Sequence, residues 1–285
     1  MIQSMTGFGK AVVQLPSKKI TIEVKSLNSK NLDLNARTPS AFREKELEIR
    51  KLLASKLVRG KIDFSLFSET TGEASATKIN IPVVEGYMKQ LENIVSGDAL
   101  HHLEMAIKLP DATSTVREEI NEDEWKAIET AINGAVSNIL EYRADEGIVL
   151  EKDFTNRVEN IKTLLAKVIK IDPERIESVR ARLEKGILEL KEKVDENRFE
   201  QELVYYIEKF DITEEKVRLQ NHLEYFIEAL ETPESNGKKL GFIAQEMGRE
   251  INTIGSKSNF APMQKLVVQM KDELEKIKEQ LLNVL

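Results

Sequence analysis

The stretch ITIEVKSLNSKNLDLNARTPSAFREKELEIRKLLASKLVRGKIDFSL, residues 20–66, decides the fold class. Ile20, Ile22 and Val24 alternate with Thr21, Glu23 and Lys25, and Leu32 and Leu34 resume the alternation after Asn28 to Asn31. A period of two is that of half-buried strands. Pro39 stops the second strand. From Ala41 to Leu57 the period changes, because Phe42, Leu47, Ile49, Leu52, Leu53 and Leu57 recur at helical spacing, with Ser40 placed as N-cap and Glu44 close behind it. Gly60 closes that helix, and Ile62, Phe64 and Leu66 alternate again. The reading is a small sheet with a helix, an N-terminal mixed α/β domain over residues 1–80 of an α+β fold.

Past Thr70, TTGEASATK is a polar connector, and the rest of the chain carries almost no strand pattern. Pro82 suits the start of a short helix running from Val83 to about Val95. Pro110 and a Ser/Thr cluster mark the following stretch as a loop. That loop would carry His101 and His102, which lack a carboxylate at ligand spacing and are discounted. Trp125, Ile128, Ala131, Ile132, Val136, Ile139 and Leu140 open a helix from Asp123 to about Ile169. A second long helix follows Pro173 to about Asp195, and a joint at Lys170 to Pro173 suggests an antiparallel hairpin within a helical region, 81–195. Residues 196–285 read as a helical-bundle C-terminal domain. Its last helix, Met263 to Leu285, carries a stripe near heptad spacing that asks for a neighbouring helix or subunit. There is no internal repeat.

Of the 285 residues, 41% are hydrophobic and 32% charged, which excludes a disordered tail and a membrane protein. No apolar run approaches the ~20 residues of a membrane span. MIQSMTGFGK lacks the cationic and apolar regions of a signal peptide, so a soluble, cytoplasmic protein is expected. The absence of cysteine removes disulfides, thiolate chemistry and zinc–thiolate sites together. With 3 histidines, any metal site must lean on carboxylates. The net charge of −7 argues at first against a polyanionic partner, but residues 1–65 carry +7 and the remainder −14. Such asymmetry hints at nucleic acid, although charged residues are mostly solvated faces.

Two segments organise polar side chains by helix geometry. In KFDITEEKVRLQNHLEYF, residues 209–226, Asp211 with Glu214 resembles an N-cap and its N3 glutamate. At about 100° per residue, Asp211, Glu215, Arg218 and His222 share one stripe, beside a buried face of Leu219, Leu223 and Phe226. The bland alternative has Asp211 capping, Glu215 paired with Arg218, and His222 an ordinary surface or core histidine. In KLGFIAQEMGREINTIGSKS, residues 239–258, the same arithmetic aligns Glu246, Arg249, Glu250, Thr253 and Lys257. Two glutamates at i and i+4 repel unless a cation or a proton lies between them. Helices that bind divalent metals use such carboxylates with a histidine from the facing helix, and His222 with Glu246 and Glu250 suits Mn²⁺ or Mg²⁺ better than zinc. The alternative is a surface salt-bridge cluster centred on Arg249. Lys238, Lys239, Arg249, Lys257, Asn252 and Ser256 surround the acids, and carboxylates flanked by cations and amides suit phosphodiester chemistry. A P-loop, a dinucleotide fingerprint and a Gly-x-Ser-x-Gly elbow are absent.

From end to end these residues resemble the YicC/YloC family of bacterial endoribonucleases. The resemblance rests on SMTGFG (4–9), VKSLNSKNLDLNARTP (24–39) with Asn28 and Arg37, VRGKI (58–62), and YRADEGIVL (142–150) with Arg143, Glu146 and Gly147. It continues through Glu202, DITEEKVRLQNH (211–222), Gly237 and the long, specific QEMGREINTIGSKS (245–258). Gly248 stands where the family often has asparagine, and Lys30 replaces a frequent arginine. The resemblance implies a metal-dependent ribonuclease, with manganese preferred to magnesium, assembled as a ring-like homo-oligomer, expected to be a hexamer, that closes around RNA. It strengthens the metal reading of His222, Glu246 and Glu250, with Glu215 as a further candidate ligand. Glu215, Arg218, Arg249 and Lys257 become candidate catalytic residues. Lys30, Arg37, Arg59, Lys61, Asn252 and Ser256 become candidate RNA contacts, with neither DNA nor membrane expected as partner. Two rivals stay open: a non-catalytic adaptor presenting RNA to another nuclease, and a structural helical oligomer whose acidic stripe is a salt-bridge network.

Overall fold

In the computed structural model, which describes residues 2–71, 77–115, 121–189, 196–232 and 236–285, the alternating segments of 20–66 form strands as expected. Four strands, β1 (Gly7–Gln14), β2 (Lys18–Leu27), β3 (Leu32–Arg37) and β4 (Gly60–Thr70), make a sheet of order β1-β2-β4-β3, with β3 and β4 parallel. Ile20, Ile22, Val24, Ile62, Phe64 and Leu66 are all buried. β1 is an addition to the sequence reading. Gly7 and Gly9 resemble breakers, yet Gly9 lies tight against backbone further along the chain: a Cβ there would stand 2.0 Å from the Ala135 carbonyl oxygen.

Between β3 and β4, the helix expected from Ala41 begins as a 3-10 turn, Ser40–Lys45, and becomes α1 over Glu46–Leu57. Ser40 does not cap it with a side-chain hydrogen bond, since Pro39 occupies the N-cap position. The buried face is Phe42, Ile49, Leu53 and Leu57, while Leu47 is exposed. Gly60 opens β4 at φ 119°, a backbone conformation that L side chains rarely adopt.

β5 (Thr77–Ile79) pairs with β6 (Thr113–Thr115), and between them lie α2 (Ile81–Ile94) and α3 (Ala99–Ala106). The expected loop around His101 and His102 is therefore largely helix. Asp98 caps α3 by accepting from the Leu100 N–H, and His102 turns inward and is buried. Of the connector TTGEASATK, residues 72–76 lie outside the described part.

The hairpin expected at Lys170 to Pro173 is not present. One helix, α4, runs unbroken over Glu122–Glu189 with Pro173 inside it; residues 190–195 are outside the described part. Interior proline costs about 3 kcal/mol through its missing N–H and ring clash. Contacts on both sides of it hold the helix. The buried Asp172 accepts from Arg175 Nε at 2.8 Å and from Lys216 Nζ at 2.7 Å, and Arg175 Nη1 donates to the Phe210 carbonyl at 2.9 Å. Burial pushes the Asp172 carboxyl up, but these hydrogen bonds and charges outweigh it and hold it below the ordinary carboxylate range. A depressed folded pKa contributes stability above the unfolded value, about 3.9, that is lost as pH falls through the folded one. Asp172→Asn should cost about 3 kcal/mol by leaving two cations short of a partner. Urea unfolding at pH 7 and below pH 4 checks this: the deficit is largest at pH 7 and shrinks in acid.

After α4 come α5 (Glu196–Lys209), α6 (Thr213–Leu230), α7 (Gly237–Lys257) and α8 (Ala261–Leu281). Two compact units result: residues 8–26 with 31–139, and residues 1–7 and 27–30 with 140–285. In the second, a continuous core joins Phe154, Val158, Ile161 and Leu165 of α4 to apolar residues of α6, α7 and α8. The expected stripe of the last helix is buried there through Met263, Val267, Met270, Leu274, Ile277 and Leu281.

The segment Ile2 to Thr6 is stitched into this second unit. Ser4 N–H donates to the Arg143 carbonyl at 3.0 Å, Met5 N–H to Asn283 at 2.7 Å, and Leu285 N–H to Gln3 at 2.9 Å. Thr6 Oγ1 donates to Glu146 Oε2 at 2.6 Å, and the buried Arg143 reaches the Met5 carbonyl at 3.4 Å. The motif residues Arg143, Glu146 and Gly147 thus dock the chain's first residues. Gly237 serves the other end, donating its N–H to the Leu285 carbonyl at 2.9 Å.

Candidate functional site

The two polar stripes lie on α6 and α7, which pack against each other. The motif 245–258 divides by face. Met247, Gly248, Ile251 and Ile254 are buried, and Cβ atoms at Gly248 and Gly255 would meet Leu274 and Val267 of α8 at 3.3 and 3.0 Å. Gly248 therefore belongs to the α8 contact and not to the acidic stripe. The end of α7 is fixed by Gln264, whose Nε2 donates to the Gly255 and Ser258 carbonyls at 2.6 Å each.

On the other face, Glu250 is 8% exposed and makes neither a hydrogen bond nor an ion pair with any described residue. Burial pushes its carboxyl up; the Arg218 and His222 charges draw it down, and Glu215 and Glu214 push it up again. Glu250 therefore feels both stripes, and α6 and α7 bring Glu215, Arg218, His222 and Glu250 into one electrostatic neighbourhood. Glu215 is 6% exposed and pairs with Lys257, which donates to its Oε1 at 2.6 Å across the two helices. Its second oxygen, Oε2, is buried and receives no hydrogen bond among the described residues. The expected pairing of Glu215 with Arg218 does not occur. Arg218 reaches Glu214, one turn back on the exposed side.

Glu246 is half-buried and paired within its own helix: Arg249 Nη1 donates to Oε2 at 3.1 Å. Its Oε1 lies 2.9 Å from the same nitrogen without the alignment of a hydrogen bond. The salt bridge of the bland reading is thus real. With Arg249 72% exposed, it contributes at most about 1 kcal/mol. Asn252 and Ser256 are exposed on the same helix, and Ser256 Oγ donates to the Thr253 carbonyl at 3.0 Å. Asp211 caps α6 one residue further out than expected, accepting from Thr213 N–H at 3.2 Å and Thr213 Oγ1 at 2.9 Å.

A divalent cation fits the chemistry of this donor set. Glu250 has no bonded partner among the described residues, and there Glu215 Oε2 and Glu246 Oε1 are buried oxygens that accept no hydrogen bond. Such lone pairs suit a hard ion. Among the described residues no three His, Asp or Glu side chains converge as a ready ligand set. Lys257 and Arg249 hold Glu215 and Glu246 instead.

The expected RNA contacts of the N-terminal region are spread. Arg37 and Lys61 are exposed on adjacent parallel strands, β3 and β4, where Asp33 pairs with Lys61 and an Asn35–Asp63 hydrogen bond of 3.0 Å lies between them. That face is mixed in charge, not a basic patch. Arg59 precedes β4 and is half-buried; Lys30, in the β2–β3 connection, is exposed. The side chain of Glu202 lies outside the described part. Sequence reasoning missed Asp172, Arg175 and Lys216, whose grouping depends on contact between α4 and α6.

The family described as "Endoribonuclease YicC-like, N-terminal region" matches residues 2–152, and "Endoribonuclease YicC-like, C-terminal" matches residues 168–285. The chain is 32% identical over 296 residues to "Probable endoribonuclease YicC" of Clostridioides difficile and 29% identical over 287 residues to the protein of that name in Haemophilus influenzae. Both alignments cover 100% of each chain. Matched in both of its regions and along the full length of these relatives, the chain belongs to the endoribonuclease YicC-like family.

Proposed function

We propose that this protein is a divalent-metal-dependent endoribonuclease, using Mn²⁺ in preference to Mg²⁺ and working in the cytoplasm as a homo-oligomer, a hexamer by family resemblance. The observation that carries this reading is Glu250, a residue 8% exposed whose carboxylate has no bonded partner among the described residues, on a helix face shared with Arg249 and Lys257 and facing α6. Leaving a carboxylate in that state costs stability, and such groups concentrate at functional sites. The names of the two relatives support RNA as the substrate.

His222, Glu246 and Glu250, with Glu215, would hold the ion, which supplies Lewis-acid stabilisation of charge on the scissile phosphate. The protein's own residues do the rest. Arg218 and Arg249 are exposed, and among the described residues each is held by a carboxylate of its own helix, a partner it can exchange for phosphate oxygens. Lys257 neutralises Glu215 and places a cation at the end of the stripe. Arg37, Arg59, Lys61 and Lys30 grip the RNA backbone without reading sequence, and Asn252 and Ser256 add polar contacts from α7.

A labelled RNA hairpin incubated with the purified protein in MnCl₂, MgCl₂ or EDTA tests this. The expected order of rates is Mn²⁺ above Mg²⁺, with EDTA at zero. Binding that survives EDTA without cleavage in any condition would establish the adaptor instead. Size-exclusion chromatography with light scattering reads the subunit count in the same preparation.

A further inference from the structure

A cleft of about 320 Å³ opens within the second unit where α4, α5 and the α7–α8 connection meet. Its wall is aromatic and cationic: Tyr206 and Phe210 come from α5 and its end, Arg175 and Arg182 from α4, and Lys257 and Asn259 from the end of α7 and just beyond. Among the described residues no carboxylate lines it. Tyr206 and Phe210 are stacked, with centroids 6.1 Å apart and planes inclined by 11°. Arg175 is buried and committed to Asp172 and the Phe210 carbonyl, so it fixes the wall. Arg182 is exposed and has no carboxylate partner among the described residues. Lys257 links the cleft to the site already described, because its ammonium lies 2.6 Å from Glu215.

We propose that this cleft is a subsite for one unpaired nucleotide of the RNA, flanking the scissile phosphate. It rests on the ribonuclease reading for its substrate. An aromatic face accepts any base by stacking, Arg182 and Lys257 meet phosphate, and Asn259 offers both a donor and an acceptor to a base edge. The volume lies at the lower end of small-ligand pockets, which suits a single nucleotide and excludes a paired one. Because a base must leave its stack to enter, the subsite makes the protein prefer single-stranded or looped RNA.

The test uses fluorescence anisotropy with a 2′-O-methyl oligoribonucleotide, as a single strand and as a duplex, each probe checked intact on a gel afterwards. Tyr206→Leu keeps an apolar side chain and removes the stacking face, and Arg182→Gln changes an exposed side chain, so both should keep the wild-type melting temperature. Each should weaken single-strand binding about tenfold and duplex binding less than about twofold. Arg182→Gln should also lower the salt dependence by about 0.7 in log–log slope, one phosphate contact. Wild-type affinity of both variants for the single strand overturns the subsite, as does an equal loss on strand and duplex. Cleavage assayed in parallel separates the two claims. A wild type that binds and never cleaves, with variants that lose single-strand binding, removes the ribonuclease reading and leaves the subsite. A wild type that cleaves, with variants unchanged in affinity and KM, removes the subsite alone.

Discussion

Glu250→Gln should fold, melt at or slightly above the wild-type temperature, and cleave RNA at least about 100-fold more slowly, the usual scale for losing one group that stabilises transition-state charge. The two halves of this prediction come from the same observation. Glu250 is buried on α7 without a hydrogen bond or ion pair to the described residues, so its charge is a cost to the fold. Glutamine has the same shape and no charge, and its introduction relieves that cost. A residue kept for a structural salt bridge behaves in the opposite way, because its loss leaves a cation unpaired and lowers the melting temperature. Glu246→Gln provides the comparison on the same helix, since it releases only the exposed Arg249. It should change stability by less than about 1 kcal/mol and share the loss of cleavage. Circular dichroism melts and a time course on labelled RNA decide both. Full turnover by pure Glu250→Gln protein would remove this residue from the reaction.

Gly147→Ala should be strongly damaging for the addition of a single methyl group. A Cβ at this position of α4 would stand 2.0 Å from the Ile2 carbonyl oxygen, 2.8 Å from its carbon and 3.2 Å from Gln3 Cα. All three are backbone atoms, so no side chain can swing aside. Either α4 deforms or the segment from Ile2 to Thr6 lifts away. Lifting forfeits the backbone bonds of Gln3, Ser4 and Met5 and the burial of Ile2 in the core of α4, α6, α7 and α8. At about 1 kcal/mol per hydrogen bond and about 2 for the side chain, the loss is about 5 kcal/mol. For a chain of this size that lowers the melting temperature by roughly 10 °C. Gly86 in α2 supplies the control, because a Cβ there meets nothing within 4 Å. Gly86→Ala should stabilise by about 0.5–1 kcal/mol through helix propensity. Differential scanning calorimetry of the two variants beside the wild type checks the pair, and similar melting temperatures for both would show that the first residues do not depend on Gly147.

The parts of this architecture legible in the sequence are those in which one face is buried and the period is local. Ile20, Ile22, Val24 and Ile62, Phe64, Leu66 announce their strands because every second side chain enters the core. The stripes of α6 and α7 follow in the same way from 100° per residue, which sets Glu215 with His222 on one helix and Glu246 with Glu250 on the other. What escaped depends on partners far away in the chain. Pro173 reads as a stop because its local cost is plain, while Asp172, Arg175, Lys216 and the Phe210 carbonyl, which hold the helix through it, belong to three elements. Glu215 chose Lys257, 42 positions away, over Arg218, because the approach of two helices can offer a better-placed cation than the next turn does. β1 was missed since Gly7 and Gly9 weaken a strand pattern, and the demand for glycine at position 9 is set by Ala135. The family motif around Arg143, Glu146 and Gly147 was visible as a pattern, but its use in docking the chain's own beginning was not.

In the proposed site the acidic faces of α6 and α7 hold a divalent ion. Electron paramagnetic resonance of free Mn²⁺, titrated with wild-type protein and with the Glu246→Gln, Glu250→Gln double variant, measures it directly. Saturable binding of one ion per chain is expected for the wild type, with its loss in a double variant that still folds. Equal binding by both proteins, or none by a wild type that cleaves RNA, would contradict it.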